Sequence, residues 1–125
     1  MPRFIILEHA GAPDDPAGIH YDFLLEDGGC CRSWRLVSLP EPGGPPVAAT
    51  ELPPHRLAWL DHDAGAVSGG RGFARRIDAG DYAPELPTAA RPAALAVTLR
   101  GARFAGVLHL HLGPDGWRLQ LASQR

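Results

Sequence analysis

The stretch Ile19-His20-Tyr21-Asp22-Phe23-Leu24-Leu25-Glu26 decides the fold, because every odd position in it carries an apolar or aromatic side chain. Such alternation is typical of a β-strand, in which successive side chains point to opposite faces. His20 and Asp22 are therefore predicted to share one face, roughly 6.5–7 Å apart. That separation suits two ligands that lean toward one metal ion, each at about 2.0–2.2 Å. The other face is formed by Ile19, Tyr21, Phe23 and Leu25.

A third candidate ligand, His9, follows the apolar run Phe4-Ile5-Ile6-Leu7. If this run and the stretch above pair as a hairpin, His9 closes a site of two imidazoles and one carboxylate with His20 and Asp22. Such a ligand set, with water in the remaining positions, suits Mn²⁺, Fe²⁺ or Zn²⁺. The pattern does not choose among these metals. By itself, it is also typical of a histidine and an aspartate that only hydrogen-bond each other on a solvated face.

Short apolar runs alternate with turn signals along the whole chain, and no segment has a 3.6-residue apolar period of helical length. We predict an all-β fold, a single-domain antiparallel β-barrel or sandwich of about eight short strands. A proline-rich surface loop spans 40–54, because proline is excluded from central strands. A glycine-rich loop spans 64–72, a turn 78–82, and a connector 83–94. The strands are predicted at 3–9, 18–26, 30–39, 55–61, 73–77, 95–100, 105–112 and 117–122, with a loop at 10–18.

Composition limits the function classes. A chain of 125 residues with a formal charge of -2 is one domain and no polycation, so contact with nucleic acid requires a local basic patch. Cys30 and Cys31 are adjacent and do not make a disulfide framework. No run approaches the ~18 apolar residues of a membrane span, and no signal core follows the N-terminus. We expect a soluble cytoplasmic domain with no membrane partner.

Further side chains are candidates for binding. Arg71 lies in Ser68-Gly69-Gly70-Arg71-Gly72, where glycines let backbone N–H groups approach an anion and arginine binds phosphate bidentately. An exposed arginine in an ordinary glycine-rich hairpin loop is the alternative. His55 follows two prolines and is placed to project over a pocket rim. His109 and His111 are two apart among leucines and are predicted to face solvent.

Several of these segments resemble the 3′-phosphoesterase domain of bacterial DNA ligase D, which belongs to the non-homologous end-joining machinery. The resemblance spans nearly the whole chain, 1–125. It implies a small β-barrel that binds Mn²⁺, while Zn²⁺ is an alternative that the ligand set allows. It also implies a nuclease activity that removes a 3′-terminal ribonucleoside and then the remaining 3′-phosphate. The similar segments are 20–28, Arg32-Ser33-Trp34, 55–61 and 78–82, with Gly106 and Trp117 in the closing strands.

The resemblance implies roles for single residues. His9, His20 and Asp22 match the metal ligands, and His55 matches a catalytic histidine that contacts the reacting phosphate. Trp59 stands where the family has a tyrosine in the substrate-binding pocket. The implied partners are 3′ ends of DNA or of RNA–DNA primer–templates, together with DNA repair proteins.

Two positions depart from the family. Leu24 replaces an arginine that contacts phosphate, and Leu7 replaces a glutamine. A charged donor aimed at a transition-state oxyanion contributes roughly 3–4 kcal/mol, so its loss without replacement predicts a slow enzyme. Arg71 is the first candidate to replace it, followed by Arg35 or Arg75. The alternatives are a module that binds metal and phosphate without turnover, at DNA ends or repair partners, and a phosphoesterase for another small phosphoester.

Overall fold

A computed structural model describes residues 1–86 and 92–123, with only the backbone of residues 16 and 17. Nine β-strands and two single-turn 3-10 helices, Leu57–Asp61 and Ser68–Gly70, lie within these residues. No helix of the described chain is long and apolar enough to cross a membrane. The strands are β1 Arg3–Ala12, β2 Asp15–Asp27, β3 Cys30–Leu36, β4 Val47–His55, β5 Ala64–Ala66, β6 Phe73–Ala83, β7 Ala94–Gly101, β8 Ala105–Gly113 and β9 Gly116–Leu121.

Eight of these strands close into an antiparallel barrel. Their order is β1-β2-β3-β4-β9-β8-β7-β6, and β6 pairs back with β1. Strand β5 lies outside this ring, where it pairs with the first residues of β6, and the last residues of β6 pair with β7 instead. The predicted all-β antiparallel barrel is confirmed, and 95–100, 105–112 and 117–122 are strands as expected.

The barrel interior is filled by every second side chain of the strands. Along β7, buried and exposed positions alternate, which is the two-residue period of a strand with one solvated face. Aromatic rings pack at the centre: the ring centroids of Phe23 and Trp34 are 6.3 Å apart, and those of Trp34 and Trp117 are 5.5 Å apart. Phe23 and Leu25 face this core as predicted, whereas Ile19 is 55% exposed near the start of β2.

The outer face of β1, β2 and β3 is also covered. Residues 56–72, here called the cover segment, join β4 to β6 and place Leu60 against Ile5, Leu7, Leu24 and Cys31. Because both faces of these strands are buried, their sequences contain continuous apolar runs in addition to alternation. The cover segment creates the enclosed space in which the candidate site lies.

Several predicted boundaries are wrong because the strands are longer. The predicted loop 10–18 reduces to a turn at Pro13 and Asp14, since β1 continues to Ala12 and β2 begins at Asp15. The predicted turn 78–82 lies within β6. Gly80 is required there by a close approach, because a Cβ atom at this position would clash with the carbonyl oxygen of Arg100.

The proline-rich segment is the largest correction. Residues 47–55 form β4 instead of a surface loop, and the predicted strand 55–61 is a 3-10 helix after His55. Pro53 and Pro54 are tolerated because β9 pairs only with Val47–Ala49, so these prolines break no ladder bond with β9. The predicted loop 64–72 contains β5 and the second 3-10 helix, while residues 87–91 of the predicted connector lie outside the described chain.

Candidate metal centre and adjoining pocket

Two neighbouring strands bring the three predicted ligands together on the outer face of the barrel. In the register of β1 and β2, His9 lies directly opposite His20, and Leu7 lies opposite Asp22. Side chains at alternate positions share a face, so Asp22 joins the two imidazoles. The hairpin expected from the apolar runs therefore forms and places His9 beside His20 and Asp22.

The ligand atoms are spaced as a single cation requires. The His9 Nδ1 atom is 3.1 Å from His20 Nε2 and 3.6 Å from Asp22 Oδ2, and His20 Nε2 is 3.5 Å from Asp22 Oδ1. Two ligands about 2.0–2.2 Å from one ion, at an angle of about 90–110°, lie about 2.8–3.6 Å apart. The separation of the two imidazole nitrogens matches this range, and each of these nitrogens lies within 3.6 Å of one oxygen of the Asp22 carboxylate, Oδ2 for His9 and Oδ1 for His20.

The surroundings of Asp22 supply a second argument for a cation. His20 is 6% exposed and Asp22 is 7% exposed. The Oδ1 atom of Asp22 is buried and has no hydrogen-bond partner in the described chain. A buried carboxylate oxygen without a partner is costly, and a divalent cation held between Asp22 and the imidazoles would satisfy it. The residues present therefore fit a metal ion.

The protonation state of His20 suits metal ligation. Burial is the largest influence and lowers the pKa of His20; the Asp22 carboxylate opposes this, while Arg35 and His9 add to the lowering. A lowered pKa favours the neutral imidazole, which is the form that coordinates metals.

A backbone carbonyl of the cover segment orients His9. The Nε2 atom of His9 lies 2.6 Å from the carbonyl oxygen of Arg71, to which it donates when that nitrogen carries the proton. This tautomer leaves the Nδ1 lone pair facing His20 and Asp22, as in metal-ligating histidines. The sequence pattern did not predict this contact. Its signal is Gly72, with φ +91°, where a Cβ atom would clash with the carbonyl oxygen of Ala10.

Gly72→Ala is therefore expected to move the cover segment away from β1 and to weaken the bond from His9 to the Arg71 carbonyl. Loss of such an orienting partner typically lowers metal affinity by about 10–100-fold. Isothermal titration with Mn²⁺ measures the change, and circular dichroism checks that the variant is folded. Gly29→Ala is the matched control, because a Cβ atom there meets nothing within 4 Å. Unchanged affinity in folded Gly72→Ala protein would contradict the orienting role.

A pocket of about 410 Å³ opens beside the candidate ligands. The strands contribute its base, and the cover segment and the end of β4 contribute its walls. Of the six predicted site residues, His20 is absent from the lining; it is buried and contacts His9. The other five line the pocket: His9, Asp22, His55, Trp59 and Arg71.

His55 and Trp59 form one wall of the pocket. The Nδ1 atom of His55 lies 3.2 Å from the carbonyl oxygen of Pro53, which accepts its proton and leaves Nε2 on the opposite side of the ring. The rings of His55 and Trp59 meet edge to face at 6.5 Å. The ring centroids of Trp59 and His62 are 4.8 Å apart, and His62 Nε2 lies 2.9 Å from the carbonyl oxygen of Ala74. Trp59 is thus a flat apolar surface in a supported position.

Three arginines line the pocket, and they differ in their partners. The guanidinium of Arg71 donates from Nε to the carbonyl oxygen of Ser68 (2.7 Å) and from a terminal nitrogen to Ser68 Oγ (3.0 Å), so it folds back on its own loop. Arg35 lies opposite Asp22 across β2 and β3 and donates to Asp14 at 2.6 Å. Arg56, for which the sequence pattern predicted no role, also lines the pocket.

The pocket carries a positive charge although the chain is negative. Three arginines and two aspartates line it, a formal charge of +1 against -2 for the whole protein. The Arg35 guanidinium holds the pKa of Asp14 below its ordinary value. Leu24 and Leu7 are both buried in the apolar cluster under the cover segment, so neither position supplies a polar group to the pocket.

Comparison of the sequence with protein-family models and with curated proteins finds no match. Three observations therefore bear on the chemistry: convergent ligands, an unsatisfied buried carboxylate oxygen, and an arginine-lined pocket beside them. Together they describe a candidate centre for a divalent cation and an anionic ligand.

Proposed function

We propose that this protein is a metal-dependent phosphoesterase that trims nucleic-acid 3′ ends, removing a 3′-phosphate or a 3′-terminal ribonucleotide, with Mn²⁺ as its metal. The observation that carries the proposal is the convergence of His9, His20 and Asp22 beside an arginine-lined pocket. The preference for 3′ ends rests on the resemblance to the ligase D phosphoesterase domain. Zn²⁺ is the alternative metal, since it accepts the same ligands.

The role of each side chain follows from its position in the site. His9, His20 and Asp22 would hold the ion, which when bound neutralises phosphate oxygens and activates a water molecule. When both of its ring nitrogens are protonated, His55 can donate a hydrogen bond or proton from Nε2 to the phosphate while Nδ1 stays bonded to the Pro53 carbonyl. Trp59 offers a flat surface for a base or sugar. A volume of about 410 Å³ falls in the range of small-ligand sites and suits the terminal nucleotide of a strand.

The distribution of ion pairs supports an anionic substrate. Arg56 and Arg71 have no carboxylate partner among the described residues, so their charge is available to a ligand in the pocket. Away from the pocket, arginines are commonly neutralised by an acid: Arg3–Asp61, Arg75–Glu8, Arg76–Asp63 and Arg100–Asp81.

The test is a primer–template that ends in a 3′-phosphate or in a single 3′-ribonucleotide, incubated with the protein and Mn²⁺ and resolved on a denaturing gel. Wild type should shorten or dephosphorylate the primer. His55→Ala should be slower by about 10²–10⁴-fold. His109→Ala is the matched control, because His109 is exposed on the far strand β8. No product from wild type with Mn²⁺ or Zn²⁺, or equal product from His20→Ala, would refute the proposal.

A second candidate is a module that binds metal and phosphate at DNA ends, or beside repair proteins, without turnover. The burial of Leu24 favours it, because the family's phosphate-contacting arginine has no counterpart at that position. A 3′-phosphorylated duplex that binds in the presence of Mn²⁺ and is not hydrolysed would establish it. Hydrolysis of a small aryl phosphate but of no nucleic-acid end would instead point to another small phosphoester.

A further inference from the structure

Arg35 is placed beside the candidate metal ligands by the strand register. It lies directly opposite Asp22 in the pairing of β2 and β3, and its side chain lines the same pocket. Leu24 lies two pairs further along, opposite Ser33, and is buried. The guanidinium of Arg35 on β3 therefore lies near the candidate metal ligands, where the buried side chain of Leu24 supplies no charged group.

The hydrogen bonds of Arg35 are incomplete. One terminal nitrogen donates to Asp14 Oδ2 at 2.6 Å. The Nε atom is buried and has no hydrogen-bond partner in the described chain. A guanidinium presents its donors as a fixed fork that matches two oxygens of a phosphate, and a buried donor without a partner is costly. An anion oxygen would satisfy Nε after a small shift of the Arg35 side chain, which as a whole is 30% exposed.

We propose that Arg35 binds the phosphate of the substrate and that Asp14 occupies the same guanidinium when substrate is absent. This inference rests on the proposed function and names the residue that replaces the family's arginine. Arg71 is the poorer choice, since its Nε and one terminal nitrogen are already bonded to Ser68. Arg56 contacts the carboxylate of no described residue, but it follows the end of β4 and is not paired with the strand that carries Asp22.

Asp14 has the properties of an internal competitor. Its side chain is 63% exposed and lies in the two-residue turn between β1 and β2, so it can leave without disturbing a strand. A carboxylate presents oxygens to arginine much as a phosphate does. Exposed ion pairs are weak, typically less than tenfold in an equilibrium constant, so a dianionic phosphate in the pocket displaces Asp14.

The first experiment measures binding without turnover. Adenosine 3′-monophosphate is titrated into metal-free protein by calorimetry, with adenosine as the uncharged control. Arg35→Gln should weaken binding of the nucleotide by about 10–100-fold, the effect of a hydrogen bond to a charged group. Arg103→Gln, whose guanidinium stacks on Phe104 outside the pocket, should bind as wild type. Equal affinities of wild type and Arg35→Gln, or no binding by wild type, would overturn the inference.

The second experiment tests the competition. Asp14→Asn should strengthen binding of adenosine 3′-monophosphate by about 2–5-fold, because the guanidinium no longer has to release a carboxylate. In the Arg35→Gln background the same substitution should have no effect. An equal gain in both backgrounds would mean that Asp14 acts only as a nearby negative charge, and the competitor role would fail.

These outcomes separate the inference from the proposed function. If wild type trims 3′ ends with Mn²⁺ and Arg35→Gln keeps its KM and kcat, the phosphoesterase proposal stands and the role of Arg35 is lost. If wild type shows no turnover but Arg35→Gln abolishes nucleotide binding, the role of Arg35 stands and the enzyme proposal is lost. For an active enzyme, Asp14→Asn should lower KM and leave kcat unchanged, which a structural effect on folding would not do.

Discussion

Asp22→Asn is expected to weaken Mn²⁺ binding by more than about 100-fold and to eliminate 3′-end trimming. The amide keeps the shape of the carboxylate but removes the charge that pairs with a divalent cation, and loss of a direct ligand exceeds the effect of its outer partners. Because the Asp22 Oδ1 atom is buried without a hydrogen-bond partner among the described residues, the metal-free variant should be at least as stable as metal-free wild type.

Thermal unfolding measures the stability of the metal-free proteins and their stabilisation by Mn²⁺. A ligand that binds only the folded protein stabilises it by about 2.7 kcal/mol at 100 times its dissociation constant, so Mn²⁺ should raise the melting temperature of wild type. Asp22→Asn should show no such shift. His111→Ala is the matched control, since His111 is exposed on β8. An equal Mn²⁺-induced shift in Asp22→Asn would exclude Asp22 as a ligand.

Arg32→Leu is expected to destabilise the barrel by about 3 kcal/mol, because the hydrogen bonds of the buried guanidinium to Glu51 and to the Pro92 carbonyl are lost. Arg32 is 3% exposed and donates from Nε to Glu51 at 2.6 Å. Its guanidinium also lies 4.8 Å from the Trp34 ring centroid and 5.3 Å from that of Trp117, which adds cation–π attraction. For a domain of 125 residues this loss lowers the melting temperature by roughly 10 °C.

Urea denaturation of Arg32→Leu, of Glu51→Leu and of the double variant tests this prediction. The double variant should lose less stability than the two single variants lose in sum, because Arg32 and Glu51 share the same hydrogen bonds. Arg32 alternates with the pocket-facing positions of β3, so 3′-end trimming per folded molecule should be unchanged. Wild-type stability of Arg32→Leu would contradict the role assigned to this ion pair, and a loss of activity in folded protein would place Arg32 in the site.

The local pattern of the sequence was sufficient to predict the fold class and to identify the candidate metal ligands. Alternation in 19–26 predicted which face of β2 carries His20 and Asp22, because side-chain direction along a strand follows the backbone period alone. The hairpin of two apolar runs then predicted the position of His9, and the register observed between β1 and β2 agrees with it. Proline and glycine predicted loops and turns less reliably. Residues 47–55 and 78–82 lie in strands, because tertiary pairing overrides the local preference for a turn.

The pocket forms only through tertiary packing of segments that are distant in sequence. Residues 56–72 fold over the outer face of β1 to β3, which places Trp59 and the Arg71 carbonyl beside His9 although about fifty or more residues separate them in sequence. No local period encodes that contact, since it depends on the close approach of Gly72 to Ala10 and on packing of Leu60. The placement of Arg35 opposite Asp22 likewise required the pairing of β2 with β3. The sequence by itself determined which side chains share a strand face, and long-range packing decided which of these faces became an enclosed site.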